Sequence, residues 1–202
     1  MAAVNRILFV CSGNAARSPM AAEILRSLGV TRSRLRHVVV ESAGTHASDG
    51  ERPFDGAIEA MEEIGLSIGG HRARLLTPDL ASSYDLILTM DRDQARTVRA
   101  LGARVEVAAL GDYAGIPGDV EAPCDSREEC AACRDHLQRL VAGVVRRLER
   151  AAPATDMGRG YHQAAIVRGE AGRRGARDAE SSADVGRFAV ERDRLVVVGS
   201  DA

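Results

Sequence analysis

Cys11 ends the apolar run Ile7-Leu8-Phe9-Val10, and Ser12-Gly13-Asn14-Ala15-Ala16 separate it from Arg17. Those residue types at that spacing suit nucleophilic chemistry on a tetrahedral oxyanion. A short loop wrapping into the first turn of a helix can point its backbone N–H groups inward, as a nest for such an anion. Gly13 and Asn14 are the residues best able to take the left-handed backbone angles of the wrap. Arg17 carries a planar fork that grips two phosphate oxygens. The same positive field favours the thiolate of Cys11, the form that attacks phosphorus near neutral pH. Ser18 follows, where its hydroxyl can steady the sulfur when it leaves. A cysteine at a strand end is more often a small buried hydrophobe, and a bare Cys-x5-Arg spacing decides little. The order strand, Gly-Asn, Arg-Ser-Pro, helix is far more specific.

The elements that must position this loop are legible around it. Ile7 to Val10 has the unbroken apolar character of a strand buried on both faces. Ser18-Pro19 reads as an N-cap and first helical residue, with Met20, Ala21, Ile24, Leu25 and Leu28 as the inner stripe and Gly29 as the stop. Val38 to Val40 reads as a second strand, and Asp55 opens a helix that Gly65 ends. Tyr84 to Met90 is the third strand, Asp91 caps the helix carrying Ala95, Val98 and Leu101, and Val105 to Leu110 is the fourth strand. A last helix starts near Arg127, with Ser126 and Glu129 as a capping box. Its stripe runs Cys130, Cys133, Leu137, Leu140, Val141, Val144 and Leu148. Strands alternating with helices predict a three-layer, doubly wound α/β domain with a parallel sheet over residues 1–150. Residues 151–187, rich in Ala, Gly, Arg and acidic residues, read as a linker or disordered tail.

Composition narrows the function classes. The 202 residues carry a net charge of −2, which makes no electrostatic case for nucleic acid or a membrane surface as partner. Every one of the 27 basic side chains is arginine, so scattered arginines do not mark an anion-binding face. No segment resembles a signal peptide or a membrane span, and the 4 cysteines are unevenly spaced, which fits free thiols in a reducing cytoplasm.

The loop matches Cys-x-Gly-Asn-x-Cys-Arg-Ser-Pro at Cys11, Gly13, Asn14, Arg17, Ser18 and Pro19. Further matching stretches are Met20-Ala21 with Glu23, Ser42-Ala43-Gly44-Thr45, Gly70-His71-Arg72-Ala73-Arg74, Tyr84 to Asp91, and Leu110-Gly111-Asp112-Tyr113. Over about residues 5–150 the chain thus resembles the low-molecular-weight protein-tyrosine-phosphatase family. The resemblance implies a four-stranded parallel sheet in order 2-1-3-4, with phosphate bound at the carboxyl end of the first strand. It also implies metal-free, cofactor-free hydrolysis of phosphomonoesters on proteins or small aryl phosphates, through a phosphocysteine. The phosphate loop would be Ser12, Gly13, Asn14, Ala15, Ala16 and Arg17, with Asn14, Ser18, Ser42 and His71 as the network that holds it.

Three features depart from the family pattern. The second loop cysteine is Ala16, so the neighbouring thiol that shields the nucleophile is absent. Ala122 stands where the general-acid Asp of an Asp-Pro pair belongs. Asp119, Glu121 or Asp125 can substitute, Glu121 being the candidate acid, and a missing acid lowers rates by about 10²–10⁴. Cys124-Asp125 replace the aromatic residues that wall a phosphotyrosine slot.

Cys124, Cys130, Cys133 and His136 have a metal-like spacing, but Cys130 and Cys133 fall on the helix stripe and read as core thiols. Cys124 is the candidate for a protective disulfide with Cys11. A phosphate-binding module with little turnover is the rival reading. Arsenate reduction is disfavoured by the helical cysteines and by Pro19, and phosphoarginine is a further candidate substrate because Ala15 leaves room for a non-aromatic group. Residues 188–202 read as an extra strand or a truncated fusion remnant, since Leu195 to Asp201 resembles the opening strand of isomerases related to ribose-5-phosphate isomerase B.

Overall fold

The computed structural model describes residues 4–122, 126–151, 187–191 and 194–198. Four parallel strands form the central sheet: β1 (Arg6–Cys11), β2 (Val39–Gly44), β3 (Leu86–Thr89) and β4 (Glu106–Ala109), in the order β2-β1-β3-β4. This is the order expected from the resemblance. β1 is flanked on both sides, Phe9 pairing with Ser42 and with Leu88, so its residues must be apolar in both directions. Ile7, Leu8, Phe9 and Val10 are all fully buried. Burying such a side chain stabilises the fold by about 1.5–3 kcal/mol.

Alternation along β1 assigns these residues to two layers. Ile7, Phe9 and Cys11 face a core that also holds Met20, Ile24 and Leu28 of α1 (Arg17–Val30), Ala57, Ala60 and Met61 of α2 (Asp55–Glu62) and Leu137, Leu140, Val141 and Val144 of the final long helix. Leu8 and Val10 face the opposite core. It is covered by Ala81 of α3 (Pro78–Ser82) and by Ala95 and Val98 of α4 (Arg92–Ala100). The chain therefore makes a three-layer α/β sandwich, and Cys11 emerges on the α1 side.

Element ends differ from the sequence reading in instructive ways. Ser18 is not the cap of α1: Ala16 is, with no side-chain cap bond, and Ser18 lies inside the first turn, drawn into the loop's own network. Gly29 does not stop α1, which continues to Val30 and closes when Thr31 N–H donates to Gly29 O. The fourth strand ends at Ala109, because Leu110 begins the short helix α5 (Leu110–Ala114). α3 was not foreseen, although Thr77-Pro78 is a cap followed by proline at the first helical position, and Thr77 accepts from Leu80 N–H. Asp91 caps α4 as expected, accepting from Gln94 N–H at 2.7 Å. The last helix, α6 (Arg127–Ala151), opens as expected with Ser126 Oγ accepting from Glu129 N–H at 3.2 Å. Beyond it, β5 (Arg187–Glu191) and β6 (Arg194–Val198) pair antiparallel as a separate two-stranded sheet. Cys124, Asp125 and residues 152–186 lie outside the described residues, and with them the disulfide reading for Cys124 and the linker reading for the tail. None of the described helices is long and apolar enough to cross a membrane.

Candidate active site

The loop from Cys11 to Arg17 sits where the carboxyl end of β1 meets the N-terminus of α1, the position at which open α/β sheets bind ligands. Asn14 has φ 55°, the one non-glycine residue in the left-handed region among those described. Its short polar side chain makes that angle tolerable. The turn brings Asn14 N–H to within 3.2 Å of Cys11 Sγ, donating to the sulfur. The N–H groups of Gly13, Ala15 and Ala16 have no protein acceptor among the described residues, which leaves them for an anion.

Around this turn the hydrogen-bond polarity can be worked through. Asn14 Oδ1 accepts from Arg74 N–H at 3.0 Å, so the amide nitrogen faces the two serines, donating to Ser18 Oγ and Ser42 Oγ at 2.9 Å each. With its oxygen already accepting, Ser18 can turn its proton to Cys11 Sγ, 3.0 Å away. Ala43 O, at 3.4 Å, is the other acceptor within reach of that proton; when Ser18 O–H turns to the sulfur, Cys11 lies between two donors, Ser18 O–H and Asn14 N–H, an arrangement that favours the thiolate. His71 Nε2 donates to Asn14 O at 2.9 Å. Burial, the largest influence on it, holds the His71 pKa below its usual value. All four residues expected to form the network (Asn14, Ser18, Ser42 and His71) meet here.

Arg17 extends from the first residue of α1, its side chain 11% exposed. Nη1 donates to Val120 O at 3.0 Å and stands 3.9 Å from Asp91 Oδ2. Val120 is itself tied to the sheet, its N–H donating to Met90 O at 2.8 Å. The loop arginine is therefore held against the segment that leads to Ala122. Asp119, Glu121 and Ala122 are exposed on the rim of a cleft of about 430 Å³, whose other wall is Glu129, Ala132, Cys133 and His136 of α6. Among the described residues no hydrogen bond or ion pair ties Glu121 to Cys11 or Arg17, and Glu121 comes near the site through the cleft it shares with Val120.

Four contributors went unnoticed in the sequence. Val120 acts through its carbonyl, which no residue type announces. Arg74 lends its N–H to Asn14, while its side chain donates to Ser42 O at 2.8 Å and to Tyr84 Oη at 3.1 Å. Gly44 lets β2 touch the loop, since a Cβ there would lie 2.4 Å from Ser12 O and 2.9 Å from Asn14 N. Gln94, only 6% exposed, donates to Ser12 Oγ at 3.2 Å. Asp91 signalled a helix start, but nothing in the sequence marked Gln94 as reaching back to the loop.

Cys130 is fully buried. Cys133, read as a core thiol, is instead partly exposed at the cleft, though burial still pushes its pKa up to about 12, so it stays neutral. Among the described residues no three His, Cys, Asp or Glu side chains converge as metal ligands.

A buried thiol within hydrogen-bond distance of Ser18 Oγ and Asn14 N–H, where β1 meets the N-terminus of α1, sits on a doubly wound α/β scaffold. Comparison with known proteins gives the family. The model of the low molecular weight phosphotyrosine protein phosphatases matches residues 6–154, and the chain belongs to that family. It is 41% identical over 143 residues to the probable low molecular weight protein-tyrosine-phosphatase EpsP of Ralstonia solanacearum, covering 70% of this chain and 92% of that one. It is 33% identical over 148 residues to the protein-arginine-phosphatase of Bacillus subtilis, covering 71% and 97%. The match to the tyrosine phosphatase Etp of Escherichia coli K12 spans 64% of that relative's length and 50% of this chain, at 39% identity. A crystal structure of a YwlE mutant from Bacillus subtilis superposes with a TM-score of 0.66 at 32% identity, over 71% of this chain and 98% of that one.

Proposed function

We propose that the protein hydrolyses phosphomonoesters on proteins, phosphotyrosine first among them, through a covalent phosphocysteine. The observation that carries the reading is the sulfur of Cys11, a residue 2% exposed, placed 3.2 Å from Asn14 N and 3.0 Å from Ser18 Oγ. In the first step the Cys11 thiolate attacks phosphorus, an S–P bond forms and the P–O bond to the leaving group breaks. Arg17 releases Val120 O to clamp two phosphoryl oxygens, while loop N–H groups take the charge that develops. The departing oxygen takes a proton from water or from Glu121, because Ala122 has none to give. In the second step water attacks phosphorus, the S–P bond breaks, inorganic phosphate leaves and Ser18 O–H steadies the returning thiolate.

An activated aryl phosphate tests this in a rapid-mixing experiment. A stoichiometric burst of phenolate followed by slow turnover, absent in Cys11→Ser, is the expected result. Saturable phosphate binding with no burst would instead make the protein a binding module.

Phosphoarginine is a second reading with its own support. Ala15 is a small side chain at the loop, Cys124-Asp125 replace the aromatic wall, and the arginine phosphatase is among the relatives whose length the chain spans almost fully. Turnover of phosphoarginine and phosphotyrosine peptides of one sequence, measured side by side, separates the two. We place the protein in the cytoplasm, acting on phosphorylated proteins.

A further inference from the structure

The side chain of Gln94 reaches out of α4 between two partners, and one of them fixes which way round it lies. Met90 N–H is a backbone donor shared between Val10 O at 3.0 Å and Gln94 Oε1 at 3.1 Å, so it can meet only the oxygen end of the Gln94 amide. An amide with its oxygen committed there must present its nitrogen at the other end, so Gln94 Nε2 donates to Ser12 Oγ at 3.2 Å. Ser12 Oγ is thereby an acceptor of that bond, and its own proton turns elsewhere. No acceptor for it occurs among the described residues.

Ser12 is the residue after the nucleophile. Its carbonyl accepts from His46 N–H at 2.9 Å, which anchors the backbone while the side chain stays partly exposed. Cys11, Asn14, Ala15 and Ala16 are buried, so Ser12 and Gly13, with Arg17 at the far end, are the solvent-reached residues of the loop. A hydroxyl there, with oxygen facing α4 and proton facing out, is a donor prepared before ligand arrives.

We propose that Gln94 is a positioning residue that sets the polarity of the Ser12 hydroxyl, so that Ser12 donates a hydrogen bond to a bound phosphoryl oxygen in addition to the loop's backbone N–H groups. The proposal rests on the phosphate-site reading above. Without Gln94 the hydroxyl is free to rotate, and part of the bond is lost to the cost of ordering it again.

The test is a double-mutant cycle on the dissociation constant of inorganic phosphate, measured by calorimetry for the full chain. Ser12→Ala weakens binding about three- to tenfold, the range of one neutral hydrogen bond. Gln94→Leu weakens it about threefold in the wild-type background and not at all in the Ser12→Ala background. An equal loss in both backgrounds would overturn the proposal, since Gln94 would then act only through the turn at Met90. If Gln94→Leu fails to fold, Gln94→Glu keeps an acceptor for Met90 N–H, and the same cycle applies: its charge acts in both backgrounds, and only the surplus loss with Ser12 present counts for the proposal. Failure of the wild-type chain to bind phosphate, together with turnover surviving Cys11→Ser, would sink the phosphate-site reading itself and is told apart by the wild-type measurement alone.

Discussion

The loop of residues 11–18 and the segment of residues 116–122 lie side by side at the same end of the sheet, yet they are built in opposite ways. In the loop, Asn14 alone makes bonds through N–H, O, Nδ2 and Oδ1, and every partner is buried or partly buried. In the segment, Val120 is pinned from both sides, while Asp119, Glu121 and Ala122 are exposed. A side chain that must attack at one distance needs over-determination, because small misplacement is expensive. A proton donor can be replaced by water when the leaving group is good, so that position tolerates loss. On the proposed mechanism the contrast makes nucleophilic attack and proton delivery separable, and mutations can pull them apart.

The largest effect falls on the loop. Cys11→Ser lowers turnover of an aryl phosphate by about 10⁴-fold or more, as nucleophile removal does in other covalent enzymes. Retention of activity would move the chemistry away from this loop altogether. Next comes a gain in the segment. Ala122→Asp raises turnover of phosphomonoesters with poor leaving groups by about 10²-fold, while aryl phosphates with good leaving groups change little. A uniform change across leaving groups would show that residue 122 does not face the departing oxygen.

Stability sharpens the comparison further. Asn14→Ala places an alanine at φ 55° and strands buried partners, which costs about 2–4 kcal/mol in denaturant unfolding. Glu121→Ala and Asp119→Ala, both on exposed positions, change stability by about 0.5 kcal/mol or less. Equal losses in the two regions would erase the distinction between them.

The same asymmetry explains what could be read from sequence. β1, the order of elements and the loop were legible because each depends on residue type: four apolar residues in a row, Gly-Asn for a wrap, and arginine for a clamp. Asn14, Ser18, Ser42 and His71 were named through likeness to a family, since serine and histidine at those distances in sequence mean nothing by spacing alone. Ser18 misled in one respect, because its type fits a helix cap while its place beside the sulfur uses the hydroxyl otherwise. Val120 could not be found, and Gly44, though part of a stretch that matches the family, gave no sign of its role. One acts by a carbonyl and the other by lacking a Cβ, and both roles exist only once β2, β3 and the loop have been brought together. Cys133 was assigned to the core from its stripe, yet the stripe passes under the cleft at that turn, leaving the thiol partly open.

The smallest effect expected comes from His71, which supports the loop without touching the sulfur. Burial lowers its folded-state pKa below the 6.5 of the free side chain, with Arg26, Arg74 and Arg72 adding to the shift and the bond to Asn14 O opposing it. Above pH 6.5 both folded and unfolded chains hold the ring neutral, so its contribution to stability is fully present. As pH falls through 6.5 the unfolded chain takes up a proton first, and that contribution is lost until the folded ring is protonated as well. Glutamine at position 71 keeps an amide N–H for Asn14 O but cannot titrate. The stability difference between the wild type and His71→Gln, followed by denaturant unfolding from pH 8 to 5, should therefore be constant at the upper end. It should move against the wild type below about pH 6.5, while His136, also held low by burial, cancels because both proteins carry it. Movement in the wild type's favour on acidification would mean that the ring gains a proton on folding, and that the loop is held by an imidazolium rather than by a neutral donor.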